Sequence, residues 1–476
     1  MPATPLRSPR IRGSVPPSAG RVPSGTARGV VRQTQAKATS LLRDPFRIGI
    51  LILLVDTISK TTGEIPAAQL IRPSLLIFCG CAFYAVLNFK KSVNLEVFHY
   101  RVPQLILLQA ALACGSALFG ISMGHAAYYI LTNYWKTLAV ALLLIVSLRN
   151  LSDVRRMIWA TALAGVLLSF ISVFITHLSK QRGGAVYDAN DVSTIVVMTV
   201  PLTLFAAQTT KGIWRILCIA GLVLCAETIV ISGSRGAFFG IVAVGAALLL
   251  FLPGISPVKR VMYVGGIAAT LAIFAPEGYW ESMQSIVTNP TADYNWDAGM
   301  GRRQIAKRGI GYMMDHPFFG LGIDNFSMQE GMYSDYAKEL MSRNIGVKWT
   351  APHNSWVEAG AETGIPGLLV WVALVVGSTV PLIRLRRKMP ASWARDGTPD
   401  QRFVYLATLY VPISILGFVV CATFVSFAWS DQSYVLPAIA MGIQMACVQQ
   451  FGLTVGTPAR RPVARGRRAT LGPNAV

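Results

Sequence analysis

Three arginine-bearing segments and one histidine carry the residue types from which chemistry could be built. Arg182 stands in "HLSKQRGGAVYDAND", Arg235 in "ISGSRGAFFG", Arg302 and Arg303 in "GMGRRQIAKRG", and His353 in "TAPHNSWVEAGAETG". A guanidinium group is always charged and offers phosphate oxygens a planar fork, so several that converge at a membrane surface suit a pyrophosphate-linked lipid. They would also stabilise the negative charge that grows on a diphosphate leaving group, a task that a divalent metal performs elsewhere. A neutral imidazole can accept the proton of a sugar hydroxyl as that oxygen attacks an anomeric carbon. Asn354 would orient His353 or the sugar, and Glu358 and Glu362, one helical turn apart, would set the imidazole tautomer or bind hydroxyls.

Each residue also has a plainer reading. Arg182 could snorkel to the headgroups. The basic residues from Arg303 to Lys307 recur at helical spacing and would serve an interfacial amphipathic helix. His353 and Asn354 would cap a helix that begins near Ser355. Arg235 is harder to dismiss, because Gly233 and Gly236 beside it leave room for another chain or a phosphate to approach the backbone. Lys136, in "TNYWKTLAVALLL", lies within an apolar run and needs a polar partner or a cavity.

Several chemistries are excluded. There is no His/Cys cluster, no HExxH and no aspartate pair of the DxD kind, so neither a metal site nor any other cofactor is expected. Neither a P-loop nor a GxGxxG opening a helix after a strand is present, which argues against a nucleotide-sugar donor and against ATP-driven transport. The seven cysteines all fall inside apolar runs, where a thiol behaves as a small hydrophobe. The net charge of +21 is split among short clusters between apolar runs and at the termini, so nucleic acid is not an expected partner.

The elements that must position these residues are membrane helices. With 53% hydrophobic and 14% charged residues, the chain reads as an all-α polytopic membrane protein in a lipid bilayer. Apolar runs predict about twelve spans, near 45–63, 68–89, 103–123, 126–148, 157–178, 190–210, 212–232, 235–253, 260–276, 364–383, 404–428 and 432–452. The resulting order is a disordered basic cytoplasmic tail (1–44), spans one to nine (45–276), a large outer loop (277–363), spans ten to twelve (364–452) and a basic cytoplasmic tail (453–476). Residues 1–43 lack the apolar core of a secretory signal. With both tails inside, every cytoplasmic turn is basic, as the positive-inside rule requires, whereas Arg182, Arg235, Arg302 and Arg303 fall outside with His353.

In chain order, "YDAND" after Arg182, "SGSRGAFFG", "GRRQIAKRGIGYMMDHPFFGLGIDNF" and "PHNSWVEAGAETGIPGLL" resemble the O-antigen ligase and polymerase superfamily of bacterial membrane glycosyltransferases. The resemblance covers approximately residues 180–385. It implies a GT-C-like fold in the bacterial inner membrane, with the large periplasmic loop over a cavity that opens to the outer leaflet. The activity it implies is metal-free transfer of a glycan from undecaprenyl diphosphate to a hydroxyl, with inversion. By position, Arg182 and Arg235 would bind the donor diphosphate, Arg302 or Arg303 would assist, and His353 would activate the acceptor. That acceptor would be a lipid A core sugar for a ligase, another lipid-linked glycan for a polymerase, or a protein hydroxyl for an O-oligosaccharyltransferase. A non-enzymatic transporter or flippase of lipid-linked glycan would also use outer cations, but no second copy of the His-Asn or Gly-Ser-Arg segment marks the internal repeat common in transporters.

Overall fold

A computed structural model of the chain describes residues 44–64, 70–176, 187–252, 256–262, 265, 275, 277–288, 301–347 and 349–455. The two basic tails lie almost wholly outside the described residues, as do Arg182 and most of the ninth expected span.

Every regular element among the described residues is a helix, which is how a backbone in lipid satisfies its own polar groups. In chain order the principal helices begin with α1 (Pro45–Ser59), α2 (Pro73–Leu87), α3 (Arg101–Phe119), α4 (Met123–Ser147) and α5 (Leu151–Ile175). Next come α6 (Ala189–Thr209), α7 (Ile213–Ser232), α8 (Arg235–Phe251), α9 (Glu277–Thr288) and α10 (Arg302–Asp315). The last are α11 (Asp335–Ser342), α12 (Ser355–Val375), α13 (Thr379–Lys388), α14 (Pro399–Cys421) and α15 (Gln432–Phe451).

Eight stretches among the described residues are long and apolar enough to cross a membrane: α3 to α7, α12 continuing into α13, α14 and α15. Three more of the twelve expected spans are present as the shorter helices α1, α2 and α8, of 15, 15 and 17 residues. At a rise of about 1.5 Å per residue these fall short of the ~30 Å hydrocarbon layer. Polar residues cut two of them off, since Lys60 follows α1 and Arg72 precedes α2.

Packing sorts the helices by burial. Helices α6, α14 and α15 are buried on most sides, while α7 exposes most of its surface. In α6 the buried hydroxyls turn back on their own helix, Thr199 Oγ1 donating to Val196 O (2.9 Å) and Thr203 Oγ1 to Thr199 O (3.0 Å). Thr199 also fills the space over Gly165 of α5, where a Cβ would collide with it, so close helix approach here relies on a small residue.

Contacts at the helix ends define two faces of the bundle. On one, Arg47 pairs with Asp153 (3.1 Å), Arg155 with Asp400 (2.7 Å), and Asn94 Nδ2 donates to Leu148 O (2.8 Å). On the other, Lys60 pairs with Asp431 (3.1 Å), Ser234 Oγ donates to Asn190 Oδ1 (2.8 Å), and Ile121 N–H donates to Leu321 O (2.8 Å). The basic turns between α2 and α3, α4 and α5, and α6 and α7 gather at the first face, and Arg235, Arg302, Arg303 and His353 at the second.

Two boundaries differ from expectation. The tenth span was expected from 364, but its helix already starts at Ser355 and breaks at Gly364 (φ 72°, ψ −176°). The break frees carbonyls that the 317–326 strip uses: Leu321 N–H donates to Ala361 O (2.8 Å) and Gly322 N–H to Glu362 O (3.0 Å), while Ile365 N–H donates to Pro317 O (2.8 Å). The eleventh span was expected to reach 428, but α14 stops at Cys421 and residues 422–431 form a loop on the second face.

Candidate functional site

The site is assembled where α8, α10 and α12 begin. Helix α7 ends on Gly233 in the left-handed region (φ 59°), and Ser234 starts α8 by accepting the Ala237 N–H on its Oγ (3.3 Å). Asp188 caps α6 with a reciprocal capping box, and the bond from Ser234 to Asn190 ties the two helix starts together. Arg235 is therefore the first residue of a helix whose start is fixed from both sides. Gly236 admits Phe424 rather than a ligand, since a Cβ there would lie 2.7 Å from the Phe424 Cβ.

Helix α10 does not lie alone at an interface, the plainer expectation for it. It packs on α12, with Ile305, Gly309 and Tyr312 buried and a Cβ on Gly309 colliding with Val357. That face turns Arg302, half-buried, and Arg303, exposed, towards α8. On another side Arg308 Nε donates to both carboxylate oxygens of Glu330 (2.9 and 3.1 Å), and Tyr312 Oη donates to the same carboxylate (2.6 Å). The carboxylate raises the Arg308 guanidinium further, and burial, reinforced by Glu330, raises the Tyr312 phenol.

His353 adopts a left-handed backbone (φ 46°), and its N–H donates to Ser426 Oγ (3.0 Å). Asn354 Oδ1 accepts the N–H groups of Trp356 (3.0 Å) and Val357 (3.1 Å), so its carbonyl oxygen caps α12. Ser355 fastens the same turn to the 422–431 loop, its Oγ donating to Val425 O (2.7 Å) and accepting from Phe427 N–H (2.9 Å).

These residues surround one cavity of about 310 Å³. Arg235, Arg302, Arg303, His353 and Asn354 all line it, so one wall system holds every expected site residue except Arg182, which lies outside the described residues, and the two glutamates. Phe239, Ala306, Pro352, Thr423 and Phe424 complete the lining. Sequence reading missed Thr423, Phe424 and the anchoring Ser426. The one available signal was the Thr and Ser content of "ATFVSFAWSD", at odds with a lipid-facing helix end.

Glu358 and Glu362 sit behind the cavity rather than in it. Glu358 Oε2 accepts Ala428 N–H (2.8 Å). Glu362 accepts Asp324 N–H (2.8 Å), Phe326 N–H (3.2 Å) and the Trp429 indole (2.7 Å). Between them the carboxylates hold the 422–431 loop, which anchors His353, and Glu362 alone ties it to the 324–326 turn. Beside them Asp324 bonds His125 Nε2 (3.0 Å); burial pushes the Asp324 carboxyl up and His125 opposes it. Among the described residues no group of three or more His, Cys, Asp or Glu is placed to hold a metal ion.

A helical membrane bundle with a cation-lined cavity at one face is the class of protein these features define. Residues 220–372 match the family model of the O-antigen ligases, a match that supports the resemblance to the O-antigen ligase and polymerase superfamily. The matched stretch contains Arg235, Arg302, Arg303, His353, Asn354, Glu358 and Glu362, and stops short of Arg182. No curated protein matches the chain. The spanning helices and the family match together support a bacterial inner-membrane protein.

Proposed function

We propose that the protein transfers a glycan from undecaprenyl diphosphate to an acceptor hydroxyl, as an O-antigen ligase or a surface-polysaccharide polymerase, with the cavity facing the periplasm and both tails in the cytoplasm. The observation that carries this reading is the shared lining of one cavity by Arg235, Arg302, Arg303 and His353. The orientation rests on the basic turns of the opposite face, which belong on the cytoplasmic side.

In this reading the three guanidinium groups grip the diphosphate, with Arg182 joining them from the segment before α6. His353 takes the proton from the acceptor hydroxyl as its oxygen bonds to the anomeric carbon. The bond from that carbon to the diphosphate oxygen breaks, its electron pair stays with the diphosphate, and the arginines stabilise the charge. No divalent ion enters the mechanism, so transfer is expected to survive EDTA. Asn354, Glu358 and Glu362 support the step by holding the His353 turn and the 422–431 loop that anchors it.

The test is glycan analysis in a deletion strain carrying wild type, His353→Ala or Arg235→Lys. Full-length glycan left on undecaprenyl diphosphate, with lipid A core unsubstituted, identifies a ligase; single repeat units left there identify a polymerase. His353→Ala should lower transfer by about 10²- to 10⁴-fold without loss of donor binding. Arg235→Lys keeps the charge and loses the fork, and should be strongly impaired. Normal glycan pools in the deletion strain would overturn the proposal.

A further inference from the structure

A second cavity, of about 770 Å³, lies on the same face between α1, α2 and α4, and the mechanism above does not use it. Its charged wall is formed by Lys60, Arg72, Lys136 and Asp431. Lys60 and Asp431 pair at 3.1 Å, whereas neither Arg72 nor Lys136 meets a carboxylate among the described residues. Asp56, behind this wall, accepts Thr62 N–H (2.9 Å), Thr62 Oγ1 (2.9 Å) and Ser74 Oγ, neutral donors that leave its charge in place. The lining therefore carries three cations against one carboxylate, with Asp56 behind it offsetting one further charge, and Lys136 finds here the polar surroundings that its place in an apolar run demands.

Three backbone irregularities put those cations there. Lys60 (φ 50°) and Arg72 (φ 51°) both hold the left-handed conformation that non-glycine residues avoid. Residues Ile130–Tyr134 form a π turn directly before Trp135 and Lys136, a local widening that redirects the side chains following it. The remaining wall mixes polar threonine, serine and asparagine side chains with the apolar Leu53, Leu75, Val140, Phe78 and Trp135, the last two in edge contact at 6.3 Å between ring centroids. Cations for phosphate, an indole face for a sugar and an aliphatic wall for a chain make up the surface of a site for a phosphorylated glycolipid.

One loop joins the two cavities. In 422–431, Thr423 and Phe424 line the first, Ser426 anchors His353, and Asp431 lines the second and holds Lys60. We propose that the second cavity binds the phosphorylated headgroup of a lipid-anchored acceptor, the second substrate of the reaction proposed above. The inference rests on that reading and deepens it, since it makes the acceptor an anionic lipid-linked glycan rather than a protein.

The test is equilibrium binding of labelled undecaprenyl diphosphate to the purified full-length protein in neutral detergent. Wild type should bind two equivalents, and Arg235→Ala should keep only the one in the second cavity. Lys136→Met combined with Arg72→Asn should keep only the one in the first, the lost site being weakened about tenfold or more. Lys136→Arg should retain both and so separate charge from folding. A single equivalent in wild type, abolished by Arg235→Ala and untouched by Lys136→Met, would overturn the proposal. A site that vanishes with Lys136→Met while Arg235→Ala changes nothing supports the second cavity and removes the donor role of the first. Equal competition by inorganic diphosphate at the second site would overturn the lipid-anchored part, because a free anion would then suffice.

Discussion

The backbone N–H of His353 donates to Ser426 Oγ at 3.0 Å, which ties a residue held at φ 46° to the loop between α14 and α15. A left-handed non-glycine residue costs on the order of 1–2 kcal/mol and persists only where its surroundings fix it. Ser426→Ala removes that acceptor and lets the imidazole drift. We expect glycan transfer to fall about ten- to a hundredfold with donor affinity unchanged, since small misplacements of a reacting group cost that much. Ser426→Thr should retain most activity. Single-turnover transfer compared with donor binding checks this, and a wild-type rate in Ser426→Ala would show the bond to be incidental.

Glu362 joins three donors from two loops, Asp324 and Phe326 N–H and the Trp429 indole. Truncation to alanine leaves the buried Phe326 N–H and Trp429 indole without an acceptor, at about 1–3 kcal/mol each, and frees the half-buried Asp324 N–H. The expected outcome is a clear drop in the midpoint of thermal unfolding, followed by tryptophan fluorescence in detergent. Glu362→Gln keeps one acceptor oxygen and should fall between alanine and wild type. An unchanged midpoint for Glu362→Ala would mean that the loops are held elsewhere.

The convergence of Arg235, Arg302, Arg303 and His353 on one face was legible because each lies in a polar break of an otherwise apolar chain. Topology alone then brings such breaks together. What could not be read were features whose cause lies far along the chain. Residues 422–431 are apolar enough to pass for the end of a span, yet they leave the helix because Ser355, Glu358 and Glu362, some seventy positions earlier, bind their backbone and indole N–H groups. The tenth span was expected from 364, after the glutamates, although a helix start near Ser355 was the plainer reading of His353 and Asn354. The two glutamates are buried against N–H donors, and the helix runs through them. The shortness of α1 and α2 likewise reflects the cation-lined cavity at their ends, which apolar run length does not report.

Arg308 shows the same limit, for it reads as one more surface cation of "RRQIAKRG". Its partner Glu330 is only 1% exposed and also accepts from Tyr312. Removal of one member of a buried ion pair costs about 3–5 kcal/mol, because the other charge is left unpaired. Arg308→Met should therefore destabilise strongly, and Glu330→Gln in the same chain should recover part of the loss. A double-mutant cycle on the unfolding midpoint reads this coupling. Strictly additive effects would mean that the pair contributes nothing.

Gly364 makes the sharpest demand on residue type. Its φ of 72° with ψ of −176° belongs to a region open essentially to glycine alone. A Cβ there would also lie 2.7 Å from the Phe318 carbonyl carbon and oxygen and from Pro317 O, backbone atoms that cannot swing aside. Gly364→Ala must then push the 317–326 strip off α12, breaking the bonds of Leu321 and Gly322 to Ala361 O and Glu362 O and shifting Asp324 from the Glu362 carboxylate. That carboxylate also holds Trp429, so the disturbance reaches the loop that anchors His353. We expect Gly364→Ala to lose transfer and to unfold well below wild type. Gly311→Ala, at a half-buried position of α10 with nothing within 4 Å of a new Cβ, should match wild type in both. Comparable behaviour of the two variants in thermal unfolding and transfer would show that the break at Gly364 does not position the site.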